Sequence, residues 1–299
     1  MHKLATGVLA LAFVCGHCAS AQDSGATKPD YPPNFPASGY RPLPPHFQPR
    51  RVIAANPEKV AAAPPPLPSY QQPPIPERGY LWVPGFWAWR KSVPDYFWVP
   101  GTWVRLPQSG LLWTPPYWSQ VDGGYAYHAG YWASEVGFYG GINYGFGYTG
   151  SGYQGGRWDN GSFTYNRAAN NLGSFDSTSV YDQAVSVEEN ASRISYNGGE
   201  RGTAARPTQQ QETLANGQHI GQTPEQQKHF ELAAMDRSLY SKLNNGKPAI
   251  AATQRPGILA GPEVARWSEP PKDNAPSNSE VSTGRPESAV VEPATASGR

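Results

Sequence analysis

The stretch YLWVPGFWAW, residues 80–89, and its near copy YFWVPGTWVR, residues 96–105, set tryptophans on either side of a Pro-Gly pair. Two further units share the layout, LLWTPPYW at 111–118 and YAYHAGYW at 125–132. Units that start at 80, 96, 111 and 125 are too closely spaced for helical solenoids, whose repeats run roughly 30 residues or more. They suit strands of about five residues joined by turns.

The common form is W-x-P-G-x-W. Proline presets φ at the first central position of a type II turn and glycine supplies φ > 0 at the second. Reversals are therefore expected at Pro84-Gly85, Pro100-Gly101, Pro115-Pro116 and Gly130. They would oppose Trp82 to Trp87, Trp98 to Trp103 and Trp113 to Trp118, while Tyr127 and Trp132 hold the corresponding places in the fourth unit. Two-residue hairpin loops prefer the mirror-image turns I′ and II′, so a wider loop with another register is the alternative. Aromatic cross-strand pairs add roughly 0.2–1 kcal/mol each, which helps hairpins otherwise too short to persist. The expected fold class is mainly β: short antiparallel hairpins or a meander built from the Trp-rich repeats (79–158), one C-terminal α-helix, and extensive disordered Pro-rich and tail segments.

Outside the repeats the chain changes character. Residues 1–21 read as a signal peptide: a basic start, the apolar run LATGVLALAFVCG and an A-x-A site ending at Ala21. That run is far shorter than the roughly 20 residues a spanning helix needs, and no later stretch is long and apolar enough. The expectation is a chain exported through a cleaved leader to the periplasm, the outer membrane or the exterior, and not spanning a membrane. Both cysteines, Cys15 and Cys18, lie in the leader, which leaves no thiol nucleophile, Cys-ligated zinc or disulfide beyond it. Residues 22–78 are proline-dominated and read as an exposed polyproline spacer.

In VGFYGGINYGFGYTGSGYQGGRW, Val136–Trp158, aromatics sit among glycines, either as a kinked extension of the sheet or as a loop over its aromatic face. A G-x-G-x-x-G match at Gly145–Gly150 lacks the following helix pattern and acidic residue of a dinucleotide site. Residues 159–222 read as irregular, with a commonplace glycosylation match at Asn190-Ala191-Ser192. A helix is expected over 223–246. Thr223 caps it, Pro224 is its first residue, Gln226 completes a capping box, Leu232, Met235, Leu239 and Leu243 form its apolar stripe, and Gly246 ends it. Residues 247–299 read as a mostly disordered tail.

Net charge is +1, so no electrostatic footprint for nucleic acid is present. His46, His128, His219 and His229 include no i, i+4 pair for a metal. Asp95, Asp122, Glu135 and Asp159 sit beside turns, where a solvated role is the default, and no nucleophile-elbow motif accompanies the serines. No catalytic residue, cofactor or metal is expected. With 32 glycines, 32 prolines and few aliphatic residues in the repeats, the aromatic rings are expected to form the core. Trp82, Trp87, Trp98, Trp103, Trp113 and Trp118 would share one face, with Phe86, Phe97 and Tyr117 nearer the other. The alternative is that exposed Trp and Tyr stack on sugar rings or on a partner.

The units WVPGFW, WVPGTW and WTPPYW resemble the YXWGXW (WXXGXW) repeat proteins of bacterial envelopes. The Val136–Trp158 segment is similar to the glycine-aromatic stretch that follows such repeats. ISYNGG with the later RPT, and NGKPAIAATQRPG after the helix, extend the resemblance over about residues 75–260. It implies a secreted bacterial protein and carries no activity and no functional residue with it; Pro116 and the altered fourth unit depart from the pattern. The expected function is a non-enzymatic envelope protein with a structural or protein-interaction role; the alternative is carbohydrate or peptidoglycan binding by the repeat aromatics.

Overall fold

The computed structural model describes residues 59–174, 178–185 and 193–269. The leader, the proline segment up to residue 58, the Asn190-Ala191-Ser192 match and the tail beyond 269 lie outside the described residues. The architecture is mainly β, made of short and mostly antiparallel strands. In chain order these begin with β1 (Lys59–Val60), β2 (Tyr80–Val83), β3 (Phe86–Arg90), β4 (Asp95–Val99), β5 (Gly101–Arg105), β6 (Leu112–Thr114), β7 (Tyr117–Val121), β8 (Gly124–His128) and β9 (Tyr131–Ala133).

The pairing corrects the expected turns. β2 pairs with β5 and β3 with β4, in one unbroken register from Tyr80↔Arg105 to Arg90↔Asp95. The reversal is at residues 91–94, and Pro84-Gly85 lies across from Pro100-Gly101 in the middle of the arms. Each Pro-Gly is thus a kink shared by both arms of one long hairpin. The second hairpin repeats the plan: β6 pairs with β9 and β7 with β8, from Leu112↔Ala133 to Val121↔Gly124, with Pro115-Pro116 across from Ala129-Gly130. Consequently the opposed rings are Trp82 with Trp103, Trp87 with Trp98, Trp113 with Trp132 and Trp118 with Tyr127. None of the three pairings expected within a unit forms.

Flanking segments widen two halves of these hairpins. The glycine-aromatic stretch forms β10 (Asn143–Gly145) and β11 (Tyr148–Thr149), and β12 (Gly156–Asp159) and β13 (Ser162–Asn166) follow. Asn160-Gly161 joins β12 to β13, with both residues at positive φ, the mirror-turn geometry that two-residue loops favour. Then come β14 (Val180–Tyr181), β15 (Tyr196–Asn197), β16 (Ala252–Thr253) and β17 (Val264–Ala265). The strand orders are β17-β16-β5-β2 and β1-β8-β7-β15. Short strands thereby cover the free sides of β5, β7 and β8, which would otherwise present unpaired backbone.

The helices are α1 (Gln209–Asn216), α2 (Pro224–Met235) and α3 (Ser241–Asn244). α2 starts as expected: Thr223 and Gln226 form a capping box and Pro224 opens the helix. The single helix to residue 246 does not form, because Asp236 turns extended and its carboxylate accepts from the Ser238 amide, starting a new turn. The apolar stripe holds at Leu239, which is wholly buried, and fails at Met235 and Leu243. Met235 is 68% and Leu243 59% exposed, while Gln226, His229, Ala233 and Leu239 face inward. α1 falls in the stretch expected to be irregular; it has its own capping box at Thr208 and Gln211 and no buried residue.

Two segments expected to be unstructured belong to the core. In the proline segment Val60, Leu67, Gln72 and Ile75 are buried, and after α3 Ala251, Ala252 and Thr253 are wholly so. Each is tied down by backbone bonds, Leu67 N–H to the Arg193 carbonyl and Gly101 N–H to the Ala251 carbonyl among them.

Candidate functional site

The residues expected to matter most are the repeat aromatics, and the two hairpins bring them into one interior. Trp82, Trp87, Trp98, Trp103, Trp113 and Trp132 are at most 1% exposed and Trp118 3%; Tyr127 is partly buried against them. Their rings meet edge-on or tilted, Trp82 on Trp103 at 5.4 Å, Trp87 on Trp98 at 5.2 Å and Trp113 on Trp132 at 5.2 Å, arrangements that suit the aromatic quadrupole. Phe86 and Phe97, on the other face, pack on Phe230 of α2. The core assignment therefore holds, and none of these seven tryptophans offers a sugar a free face.

Glycine in the repeat answers to space. Gly85, Gly101 and Gly130 do not have positive φ. A Cβ on Gly101 would lie 2.7 Å from Trp82 Cζ2 and one on Gly130 2.5 Å from Trp113 Cζ2, and one on Gly85 would collide with the Trp98 ring. The first tryptophan of one unit thus lies on the glycine of the unit across the hairpin. Where Pro116 replaces glycine, the ring expected over it is Tyr127, the one first position that is not tryptophan. The kinks interrupt the ladder, and proline reduces the number of donors left over because it has none. The donors and acceptors that remain find partners elsewhere: Gly85 N–H reaches the Tyr70 hydroxyl at 3.5 Å, the Pro100 carbonyl accepts from His229 Nε2 at 2.9 Å, and the Pro116 carbonyl accepts from the Tyr144 hydroxyl at 2.6 Å.

Four of the indole N–H groups reach into the flanks, whereas those of Trp82 and Trp113 are buried without a partner among the described residues. Trp87 donates to Pro66 O at 3.1 Å, Trp103 to Pro73 O at 2.8 Å, Trp98 to Ala251 O at 2.8 Å and Trp132 to Gln226 Oε1 at 2.9 Å. Trp118 joins the hairpins by donating to the Trp87 carbonyl at 2.8 Å.

Groups that carry catalysis elsewhere have structural duties here. Asp95 is buried, correcting the expected solvated role, and accepts from Ser241 Oγ at 2.7 Å and the Lys242 amide at 3.1 Å. Ser119 and His128 lie 2.8 Å apart beside Tyr117, whose ring stacks on the imidazole at 4.3 Å. Burial lowers the His128 pKa. Among the described residues no group of His, Asp or Glu could hold a metal, and no helix is long and apolar enough to cross a membrane. Gly145–Gly150 falls within the β10–β11 hairpin and leads into no helix.

One concavity was not signalled by any motif. An open cleft of about 400 Å³ lies where the proline segment, the Gly85 kink and the β10 turn meet, lined by Tyr70, Trp98, Asn143, Tyr144, Phe146 and Arg193 among others. Gly145, Phe146 and Gly147 all have positive φ, which swings the Phe146 ring onto Tyr70 and Trp82 at 5.4 and 5.5 Å. Arg193 donates from Nη2 to the Pro68 carbonyl. Its Nε is buried without a partner, and burial lowers its pKa.

The WXXGXW repeat family model matches the chain in two copies, residues 78–104 and 109–133. Each copy coincides with one kinked hairpin, so the structural unit contains two W-x-P-G-x-W units rather than one. No curated protein and no solved structure matches the chain.

Proposed function

We propose that this WXXGXW-repeat chain is an exported envelope protein that acts without catalysis, through a scaffold or protein-interaction role. The observation that carries this is the use to which the repeat aromatics are put: their faces fill the interior and their N–H groups fasten the flanks. A sequence motif spent on cohesion leaves recognition to the outer surface. That surface includes Val93 and Leu243, 50% and 59% exposed, on two elements joined by the Lys242 Nζ bond to Pro94 O at 2.7 Å. Export rests on the leader at residues 1–21 and on the resemblance.

The test is photo-crosslinking of the full chain in intact bacterial cells, with the reactive residue at Val93 or Leu243, combined with fractionation of the envelope. A recurrent envelope protein captured from either position, and recovery of the chain cleaved after Ala21, are expected. Recovery of the intact chain from the cytoplasm would reject the localisation, and a turnover assigned to the purified chain would reject the non-catalytic role. Sugar binding by the repeat rings has their burial against it. Retention on insoluble cell wall that Trp98→Ala abolishes without unfolding the protein would restore it.

A further inference from the structure

We propose that the cleft beside Arg193 binds a small molecule bearing one carboxylate on a ring or other apolar body. Its volume, about 400 Å³, lies within the roughly 300–1,000 Å³ of small-ligand sites, which are typically aromatic-walled with a few fixed polar groups. Tyr70, Trp98, Tyr144 and Phe146 supply such walls.

The polar groups are unbalanced in one direction. Asn143 Oδ1 is occupied by the Gly145 amide at 2.9 Å, and Thr203 Oγ1 already donates to the Gly140 carbonyl and accepts from Asn197 Nδ2. Of the other side-chain groups the Ser69 hydroxyl can donate or accept, and the rest are donors. Arg193 Nε–H has no acceptor. The Tyr70 hydroxyl accepts from Gly85 and has no acceptor for its own hydrogen among the described residues, and Asn143 Nδ2 likewise has none. With side-chain donors in excess of side-chain acceptors, the lining favours an acceptor-only ligand, and a carboxylate is one.

Charge narrows the choice. Arg193 is the one charged residue of the lining, and no described carboxylate pairs with it. Buried charges are ordinarily paired. The bond from Nη2 to Pro68 O holds the guanidinium in place, and because that carbonyl is neutral the positive charge is left without an anion, which a ligand would supply. A single fixed cation matches a monoanion; a phosphate dianion would call for a second cation or a helix N-terminus, and the lining has neither. Two sources share this chemistry, a sugar acid and a peptide C-terminus. The inference stands on the cleft alone and does not require the envelope role.

The test follows the Arg193 Nε–H resonance of the ¹⁵N-labelled full chain during titration with N-acetylmuramic acid and, separately, with N-acetylphenylalanine. Controls are N-acetylglucosamine and N-acetylphenylalanine amide, which keep the body and lack the charge. Saturable shifts by at least one acid below about 10 mM are expected, with neither control shifting the resonance, as a small ligand with one charged contact should behave. The tighter acid identifies the source. Arg193→Gln, in which binding is followed through the indole N–H resonance of Trp98 in the cleft wall, should weaken binding at least about tenfold, the loss of one charge-assisted bond. Ser69→Glu, which adds a competing carboxylate to the lining, should do the same should Arg193→Gln fail to fold. The assignment is overturned by no shift with either acid, by equal shifts with the neutral controls, or by full affinity in whichever variant is folded.

Discussion

Gly85 sits beneath the Trp98 ring, and its hydrogen is the only substituent that space admits. Overfilling a packed core costs roughly 1–3 kcal/mol, so Gly85→Ala should lower the unfolding free energy by about that amount. At Gly221 an added Cβ would meet nothing within 4 Å and φ is not positive, so Gly221→Ala should change stability by less than about 0.5 kcal/mol. Urea denaturation followed by tryptophan fluorescence measures both; equal losses would show that the indole contact does not explain the glycine. His229 offers a second residue-scale check. Its Nε2 donates to Pro100 O and its Nδ1 accepts from the Gly257 amide, both at 2.9 Å, so it must be neutral. Burial lowers its pKa to about 4 from an ordinary 6.5. Between those values the unfolded chain binds the extra proton, so stability rises with pH over that window and is lost as pH falls through it. The linkage amounts to about 3 kcal/mol at most. Melting temperature should decline from pH 6.5 toward 4, and His229→Gln should flatten that decline.

At the scale of elements, the same Pro-Gly pair can end a strand or bend two paired ones. What decides between them is where the chain can reverse more cheaply. Asp122-Gly123 sits between β7 and β8, with Gly123 at φ 77°, and Asp-Gly is among the strongest hairpin signals available to local sequence. That signal is legible in the sequence, as is Asn160-Gly161 further on; the repeated Pro-Gly is the more conspicuous turn signal and the weaker one. The tryptophan spacing revealed aromatic hairpins but not their pairing: the rings expected to meet within a unit meet instead between units, because the spacing fixes where the rings recur and not where the chain reverses. The start of α2 was legible from Thr223, Pro224 and Gln226 because capping is local chemistry. Its buried face was not, because Gln226 and His229 point inward to serve Trp132 and Pro100, contacts no helical periodicity encodes. Leu239→Ala should therefore cost about 2–5 kcal/mol in stability. Leu243→Gln should cost almost nothing, although a continuous helix would have made the two equivalent. Thermal unfolding of both variants decides this.

Across the whole molecule, cohesion depends on segments that composition alone assigns to linkers. Proline and small residues have little to bury, yet the backbone carbonyls of Pro66, Pro73 and Ala251 are the acceptors for three interior indoles. Such acceptors leave no trace in side-chain identity, and for the same reason the cleft beside Arg193 was invisible: it forms where residues 67–70, 85, 143–146 and 193–194 converge. If the hairpins were self-sufficient, the flanks would be dispensable. The bond network says otherwise. A chain ending at residue 246 loses the Ala251 carbonyl, which serves both Trp98 Nε1 and the Gly101 amide, the β16 strand along β5 and the Gly257 partner of His229. Each buried donor stranded in this way costs about 1–3 kcal/mol, and together with the lost burial of Ala251, Ala252 and Thr253 the deficit rivals the about 5–15 kcal/mol that holds a typical domain. The truncated chain should show no cooperative melt and should lose the near-ultraviolet circular dichroism of its packed tryptophans, whereas the full chain should show both. A truncated chain that melts cooperatively at an unchanged temperature would mean the paired indoles cohere unaided, and that the flanks are attached to a core they do not complete.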